Sequence, residues 1–263
     1  MTNTILEVTG LTRHFGGLAA VSGVDLRLNS GELIGLIGPN GAGKTTVFNL
    51  LTGVYPPSEG TISFTREDKI VSIGGKRPYA ICRAGIGRTF QNIRLFKDLT
   101  VLDNVVIAFQ QNRRYSLLAS FLRVPPFGAR EAEIRERSHE LLSIMGLGAK
   151  AHELARNLPY GDQRHLEIAR ALATDPTLLL LDEPAAGMNP NETANLTGLI
   201  ARLRSDFGLT ILLIEHDMSL VMRICERIYV LDHGQLIASG TAAEVRENPK
   251  VIEAYLGEEA DHA

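Results

Sequence analysis

The chain has 263 residues, 44% of them hydrophobic and 22% charged, an ordinary globular balance with enough apolar material for a sizeable core. Its formal charge of −3 excludes the global basic field of a nucleic-acid binder. Its two cysteines, Cys82 and Cys225, lack metal-ligand spacing and suit a reducing compartment rather than a disulfide framework.

Met1 to Gly10 carries no basic segment followed by a long apolar run, so no secretory leader is expected. No stretch reaches the roughly 20 apolar residues that a membrane-spanning helix needs, so any membrane association is expected to run through a protein partner. Leu33-Ile34-Gly35-Leu36-Ile37 is short, apolar and followed by a Gly/Pro turn, which predicts a buried strand. The turn reads Gly38-Pro39-Asn40-Gly41-Ala42-Gly43-Lys44-Thr45, and Thr46 to Leu51 can form a helix behind it. Gly, four residues, Gly-Lys and Ser/Thr between a strand and a helix is the phosphate-loop pattern. Glycines let successive backbone N–H groups turn inward around phosphate oxygens, and the helix N-terminus adds its partial positive charge. Lys44 is expected to reach the β- and γ-phosphates and Thr45 to ligate Mg²⁺. The loop from Gly38 to Thr46 as a whole is read as the nucleotide cradle.

From about Gln91 to Gly161 no convincing buried strand is visible. Gln110 to Gly128 is rich in Arg, Leu and Phe and holds Pro125-Pro126, and Ala129 to Met145 is charged and then amphipathic. The pattern predicts a helical subdomain over about 91–163, inserted into an α/β core formed by about 1–90 and 164–240. Leu166, Ile168, Ala169, Leu172 and Ala173 mark a helix face. Leu178 to Leu181 is a second strand, running into Asp182-Glu183-Pro184. Asp182, at the strand's C-terminal end, is placed to hold Mg²⁺ through water, and Glu183 to orient an attacking water and accept its proton. A helix follows, with Leu196, Leu199, Ile200, Leu203 and Phe207 on one face; Asn189 is its N-cap, Pro190 its first residue and Glu192 its capping-box acid. Thr210 to Ile214 and Ile228 to Leu231 are further strands; such runs, apolar on both faces, suit a sheet covered by helices. Thr241 with Glu244 is another capping box, opening a short helix that ends before Pro249. A helical tail is expected over 241–257, completing a single domain of 1–257, with a frayed polar end over 258–263.

Taken together these residues resemble the ATP-binding-cassette family, over about residues 5 to 257. The resemblance implies a P-loop NTPase core with an inserted α-helical subdomain and a small antiparallel β region. It gives Gln91, in Gly87-Arg88-Thr89-Phe90-Gln91, the part of the glutamine that touches Mg²⁺ and water and senses the membrane partner. Leu158-Pro159-Tyr160-Gly161-Asp162-Gln163 stands where the family has its Leu-Ser-Gly-Gly-Gln signature, which acts on the ATP of a second cassette. His216 is similar to the switch histidine that contacts the γ-phosphate, Phe15 to the aromatic that stacks on adenine, and Ala185 to Asn189 occupies the D-loop. Glu183, His216 and Gln91 are thus the implied catalytic residues, and Thr45, Gln91 and Asp182 the implied Mg²⁺ site.

Arg94-Leu95-Phe96, Glu183 to Pro190, Ile214-Glu215-His216-Asp217 and the ending Ala254-Tyr255-Leu256-Gly257 resemble, more narrowly, the branched-chain amino acid importer ATPases. That likeness implies ATP and Mg²⁺, a second identical or paralogous cassette, two integral-membrane permeases and, indirectly, an extracytoplasmic solute-binding protein. It implies no nucleic acid, and a peripheral place at the cytoplasmic face of the cell membrane. Three positions depart from the pattern. The signature Ser is Pro159, its first Gly is Tyr160 and the D-loop Asp is Asn189. Pro159 has neither hydroxyl nor N–H to offer a phosphate, so either that contact is missing or Pro159 only starts the helix while Gly161 N–H and the helix N-terminus serve. The alternatives are a cassette ATPase for a different solute and a soluble cassette ATPase acting on DNA or ribosomes; one P-loop and no sustained heptad tract weigh against the latter. Glu183 and His216, both present, weigh against a module without turnover.

Overall fold

The computed structural model describes residues 3–110 and 127–261. Residues 111–126, most of the expected insertion, lie outside them. Two compact units divide the chain: Met1–Arg88 with Thr177–Ala263, and Thr89–Pro176.

The larger unit holds two sheets. In the first, β1 (Thr4–Phe15) pairs antiparallel with β2 (Leu18–Asn29) and with β4 (Glu59–Arg66), which pairs in turn with β5 (Lys69–Ser72). The second runs β10-β9-β3-β8-β7-β6. Here β3 (Leu33–Ile37), β6 (Ile86–Arg88), β7 (Leu178–Asp182), β8 (Thr210–Ile214) and β9 (Arg227–Asp232) pair parallel, and β10 (Gln235–Gly240) closes one edge antiparallel. Every residue of β3, β7 and β8 is buried, as strands covered on both faces require.

The four strands read from apolar runs are β3, β7, β8 and β9. The antiparallel sheet is the small β region implied by family likeness. Its strands carry no apolar run buried throughout. β1 alternates buried and exposed positions and its register shifts several times along β2, so no single period marks it. Helix α1 (Lys44–Leu51) follows β3 and packs Val47, Phe48, Leu50 and Leu51 into a core shared with both sheets. Tyr229 of β9 ties the sheets together: its hydroxyl accepts from Arg27 N at 3.1 Å and donates to Arg27 O at 2.9 Å. Helix α2 (Pro78–Ala84) leads into β6.

The smaller unit holds α3 (Val101–Gln110), α4 (Phe127–Ile144) and α5 (Tyr160–Leu172). Among its described residues the β-pairing is one isolated bridge, Thr100 with Leu154. The return to the core, expected near Arg164, comes later, at Thr177. Helix α5 packs on α3 and α4, so it belongs with the helices that precede it.

Back in the larger unit, α6 (Pro190–Phe207) begins with the expected capping box. Glu192 N donates to Asn189 Oδ1 at 3.0 Å and Asn189 N to Glu192 Oε2 at 2.9 Å. Helix α7 (Met218–Ile224) follows β8, α8 (Ala242–Arg246) starts from the Thr241–Glu244 box, and α9 (Pro249–Asp261) ends the described chain. Helix α9 continues past Gly257, where the tail was expected to fray; Glu258, Glu259 and Ala260 are good helix formers. Among the described residues no helix is long and apolar enough to cross a membrane.

Candidate functional site

The loop from β3 to α1 is built on backbone geometry that only glycine accepts. Gly38 has φ 149° and Gly43 φ 100°. A Cβ on Gly38 would lie 2.0 Å from Leu231 O, and one on Gly43 2.6 Å from Ala20 O. The loop is therefore pressed against the start of β2 and the end of β9, and its shape is set by its neighbours. Gly43 is the N-cap of α1 and no side chain caps that end, which leaves the first-turn N–H groups to an outside acceptor. Lys44 is buried, and its Nζ donates to Gly38 O at 2.6 Å and Pro39 O at 2.8 Å. Thr45 and Asn40 are exposed, and Thr46 is half-buried. Pro39, Gly41 and Ala42 complete the turn, with Gly234 N bonded to Ala42 O at 3.0 Å.

Two carboxylates close the end of β7. Asp182 is buried, and its Oδ2 accepts from Arg88 Nη2 at 2.8 Å. The same guanidinium reaches Asn49 Oδ1 at 2.8 Å and Thr52 Oγ1 at 2.9 Å on and just after α1. Arg88 thus ties the last residue of β7 to the helix behind the loop. Glu183 follows with φ 48°, a left-handed backbone that a non-glycine residue adopts at a cost. Its N–H is held by Ile214 O at 2.9 Å, and its Oε1 lies 2.7 Å from Nε2 of His216, at the end of β8. His216 is exposed and Glu183 mostly buried, so the pair offers one side to solvent.

A third carboxylate underlies them. Glu215 is buried, and its Oε1 accepts from Ala185 N at 2.7 Å, its Oε2 from His216 N at 3.2 Å. It holds the turns after Glu183 and before His216 in one arrangement. Burial, above all, raises its carboxyl above the ordinary range, with Glu183 adding repulsion. Asp217 caps α7, accepting from Ser219 N at 2.9 Å and Leu220 N at 3.2 Å; hydrogen bonding, first from the Ser219 hydroxyl, lowers its carboxyl.

A loop of backbone donors with a lysine inside it follows β3, and an acid–histidine pair follows the neighbouring strands β7 and β8. The ABC transporter family model matches residues 21–186, well over half of the chain. The chain belongs to the ABC transporter family. A second model, described as branched-chain amino acid ATP-binding cassette transporter, matches residues 235–261. The cassette is 50% identical over 258 residues to the Escherichia coli high-affinity branched-chain amino acid transport ATP-binding protein LivG, covering 98% of this chain and 100% of that one. It is 48% identical, with the same coverage, to the corresponding Pseudomonas aeruginosa protein, BraF. A crystallised ATP-binding cassette of an ABC transporter in its ADP conformation has the same fold at 33% identity. The TM-score is 0.83, and the match covers 97% of this chain and 100% of that one. The P-loop NTPase fold is thereby established, and with it an ATP-binding protein whose hydrolysis of ATP is coupled to transport.

The remaining cassette positions fall as follows. Phe15 ends β1, is 40% exposed, meets Tyr55 edge-on at 5.1 Å, and lies under the Arg13 guanidinium at 4.8 Å. It is a supported ring, partly exposed to solvent. Gln91 stands in the smaller unit, just past β6, in a segment without helix or strand. Pro159 is the N-cap of α5, and Tyr160 begins the helix. Gln163 N bonds Pro159 O at 3.0 Å and its side chain bonds Leu158 O at 2.9 Å, while Asp162 pairs with Lys150. The signature therefore forms a helix start with no side-chain cap at Pro159. Arg88 and Glu215 stand inside sequence motifs that assign them no part of their own. Their signal was a charged residue beside buried strand runs, which demands a partner.

Proposed function

We propose that this cassette is the ATP-hydrolysing subunit of an importer for branched-chain amino acids. The observation that carries the hydrolytic part is the 2.7 Å contact of Glu183 Oε1 with His216 Nε2, made by a glutamate held at φ 48°. Glu183 orients the attacking water and takes its proton as the water oxygen bonds the γ-phosphorus and the bond to the ADP oxygen breaks. His216 fixes that carboxylate and donates toward the γ-phosphate. Backbone N–H groups of the loop from Gly38 to Thr46 and the Lys44 ammonium hold the phosphates, and Phe15 stacks on the adenine.

Mg²⁺ suits the donors that are present. The hydroxyl of Thr45 and the carboxylate of Asp182 are hard oxygens, and among the described residues no group of three or more His, Cys, Asp or Glu could hold a metal alone. Such a sparse set matches an ion that takes one or two protein oxygens and completes its shell with phosphates and water. When bound, Mg²⁺ would neutralise developing phosphate charge. Gln91 keeps the sensing part that the family likeness gives it.

The solute assignment rests on LivG and BraF, each matched end to end. It is reinforced by the family model over residues 235–261. The chain then acts with a second cassette, whose ATP the Pro159–Gln163 signature faces, and with two membrane permeases served by a solute-binding protein. It sits at the cytoplasmic face of the membrane through those permeases. Phe96 and Leu99, 46% and 36% exposed, with Leu95 beside them, offer the apolar docking face.

The test is Glu183→Gln. It should retain ATP binding and lose hydrolysis by roughly 10²–10⁴-fold, whereas Lys44→Ala should weaken nucleotide binding itself. Turnover near the parent value in Glu183→Gln would remove Glu183 from the mechanism.

A further inference from the structure

Gln91 belongs to a stretch whose backbone is held by side chains rather than by a helix or a sheet. Glu167 Oε1 accepts from Phe90 N at 3.2 Å and from Arg94 N at 3.4 Å. Arg164 Nη1 donates to Phe90 O at 2.8 Å and its Nη2 to Gln91 O at 3.0 Å. The two side chains also pair with each other, Nη1 to Oε2 at 2.8 Å. Both lie on α5, three residues apart and so on one face. Two side chains of the signature helix therefore fix four backbone groups around Gln91. The chain of bonds continues to the signature itself. Arg164 Nη2 donates to the hydroxyl of Tyr160 at 3.1 Å, and Tyr160 is the residue that replaces a family glycine.

Stability alone does not account for this arrangement. Arg164 is fully buried and Glu167 nearly so. A buried ion pair commonly gains little over apolar residues of the same volume, because both ions are desolvated. What the pair supplies is geometry: donors and acceptors spaced to fit one conformation of the backbone from Phe90 to Arg94.

We propose that Tyr160, Arg164 and Glu167 are positioning residues, a relay that fixes the Gln91 backbone to the signature helix, so that a contact made at Tyr160 alters the placement of Gln91. Its consequence for turnover rests on the part given to Gln91 above. It also supplies a reason for tyrosine at this signature position, since glycine has no hydroxyl for Arg164.

The full-length chain tests the relay with Tyr160→Phe, which removes only a hydroxyl from a partly exposed ring, and with Glu167→Gln. Amide hydrogen exchange over 89–96 is read beside thermal melting, affinity for a non-hydrolysable ATP analogue, and kcat. Gln91→Ala serves as the reference. Both variants should speed exchange within 89–96 while leaving exchange in the P-loop unit unchanged. Tyr160→Phe should lower kcat about fivefold, the scale of one neutral hydrogen bond, without a matching change in KM for ATP. Glu167→Gln should lower it further. Unchanged exchange at 89–96 in both variants overturns the relay whatever the kinetics show. Faster exchange across the whole smaller unit with a lowered melting temperature also overturns it, because that is the mark of a purely structural pair. Local exchange that responds while Gln91→Ala keeps the parent kcat upholds the relay and overturns the catalytic part of Gln91.

Discussion

At the scale of single residues, the candidate site rests on side chains that hold other side chains and backbone groups in place. Arg88 is the clearest. Its guanidinium is 7% exposed and the Asp182 carboxylate 2%, and it spends three hydrogen bonds on Asp182, Asn49 and Thr52. Removing one partner of a buried pair strands the other in a low-dielectric setting and costs about 3–5 kcal/mol. Arg88→Ala is therefore expected to lose that much stability in denaturant unfolding. Arg88→Lys, which keeps the charge but not the planar fork, should lose part of it. A loss below about 1 kcal/mol in Arg88→Ala would show Asp182 held by other means. Glu215 acts in the same spirit: buried, raised by burial, and bonded to two backbone N–H groups that flank the acid–histidine pair. Both residues stand in sequence motifs whose better-known neighbours draw attention first.

At the scale of elements, each functional side chain sits where a regular element ends. Lys44 opens α1, Asp182 closes β7, His216 follows β8 and Pro159 precedes α5. The ends are legible because they carry their own chemistry. Asn189 is an example, with both reciprocal bonds of its capping box present on α6. It stands where the family has a D-loop aspartate, and capping is a complete reason for its presence. Asn189→Ala should cost about 1 kcal/mol of stability by removing the acceptor for Glu192 N, measured as a lower denaturant midpoint. Asn189→Asp restores an acceptor and should recover most of it. If Asn189→Asp melts like Asn189→Ala, the amide has a second role in the fold.

At the scale of the whole molecule, the two compact units carry different motifs. The P-loop, Asp182, Glu183 and His216 lie in the larger unit, while Gln91 and the signature lie in the smaller. Exposed Phe96 and Leu99 accompany Gln91 on the smaller unit and carry no polar side-chain group to offer a nucleotide. Phe96→Ser and Leu99→Ser should therefore keep the basal ATPase within about twofold and abolish solute-stimulated ATPase in the assembled transporter, since an apolar contact of this kind is worth roughly 1.5–3 kcal/mol per side chain. Thermal melting checks that each variant is folded. Equal loss of basal and stimulated activity would place the face in the core of the cassette instead.

The sequence by itself determined the strand–loop–helix of the P-loop and the central strands. β3, β7 and β8 are buried on both faces, so their composition alone announces them. The glycine spacing of the P-loop is local, although the close approach of Leu231 O and Ala20 O that makes glycine necessary there is tertiary. Capping boxes are local too, closed within four residues. Tertiary structure decided what depends on partners far along the chain. The strands of the antiparallel sheet are half exposed and held by pairing, so no run of residues declares them. Arg88 finds Asp182 across 94 residues, and Glu167 finds Phe90 across 77. A buried charge signals only that a partner exists; which partner it takes is set by how the chain brings distant strands and helices side by side.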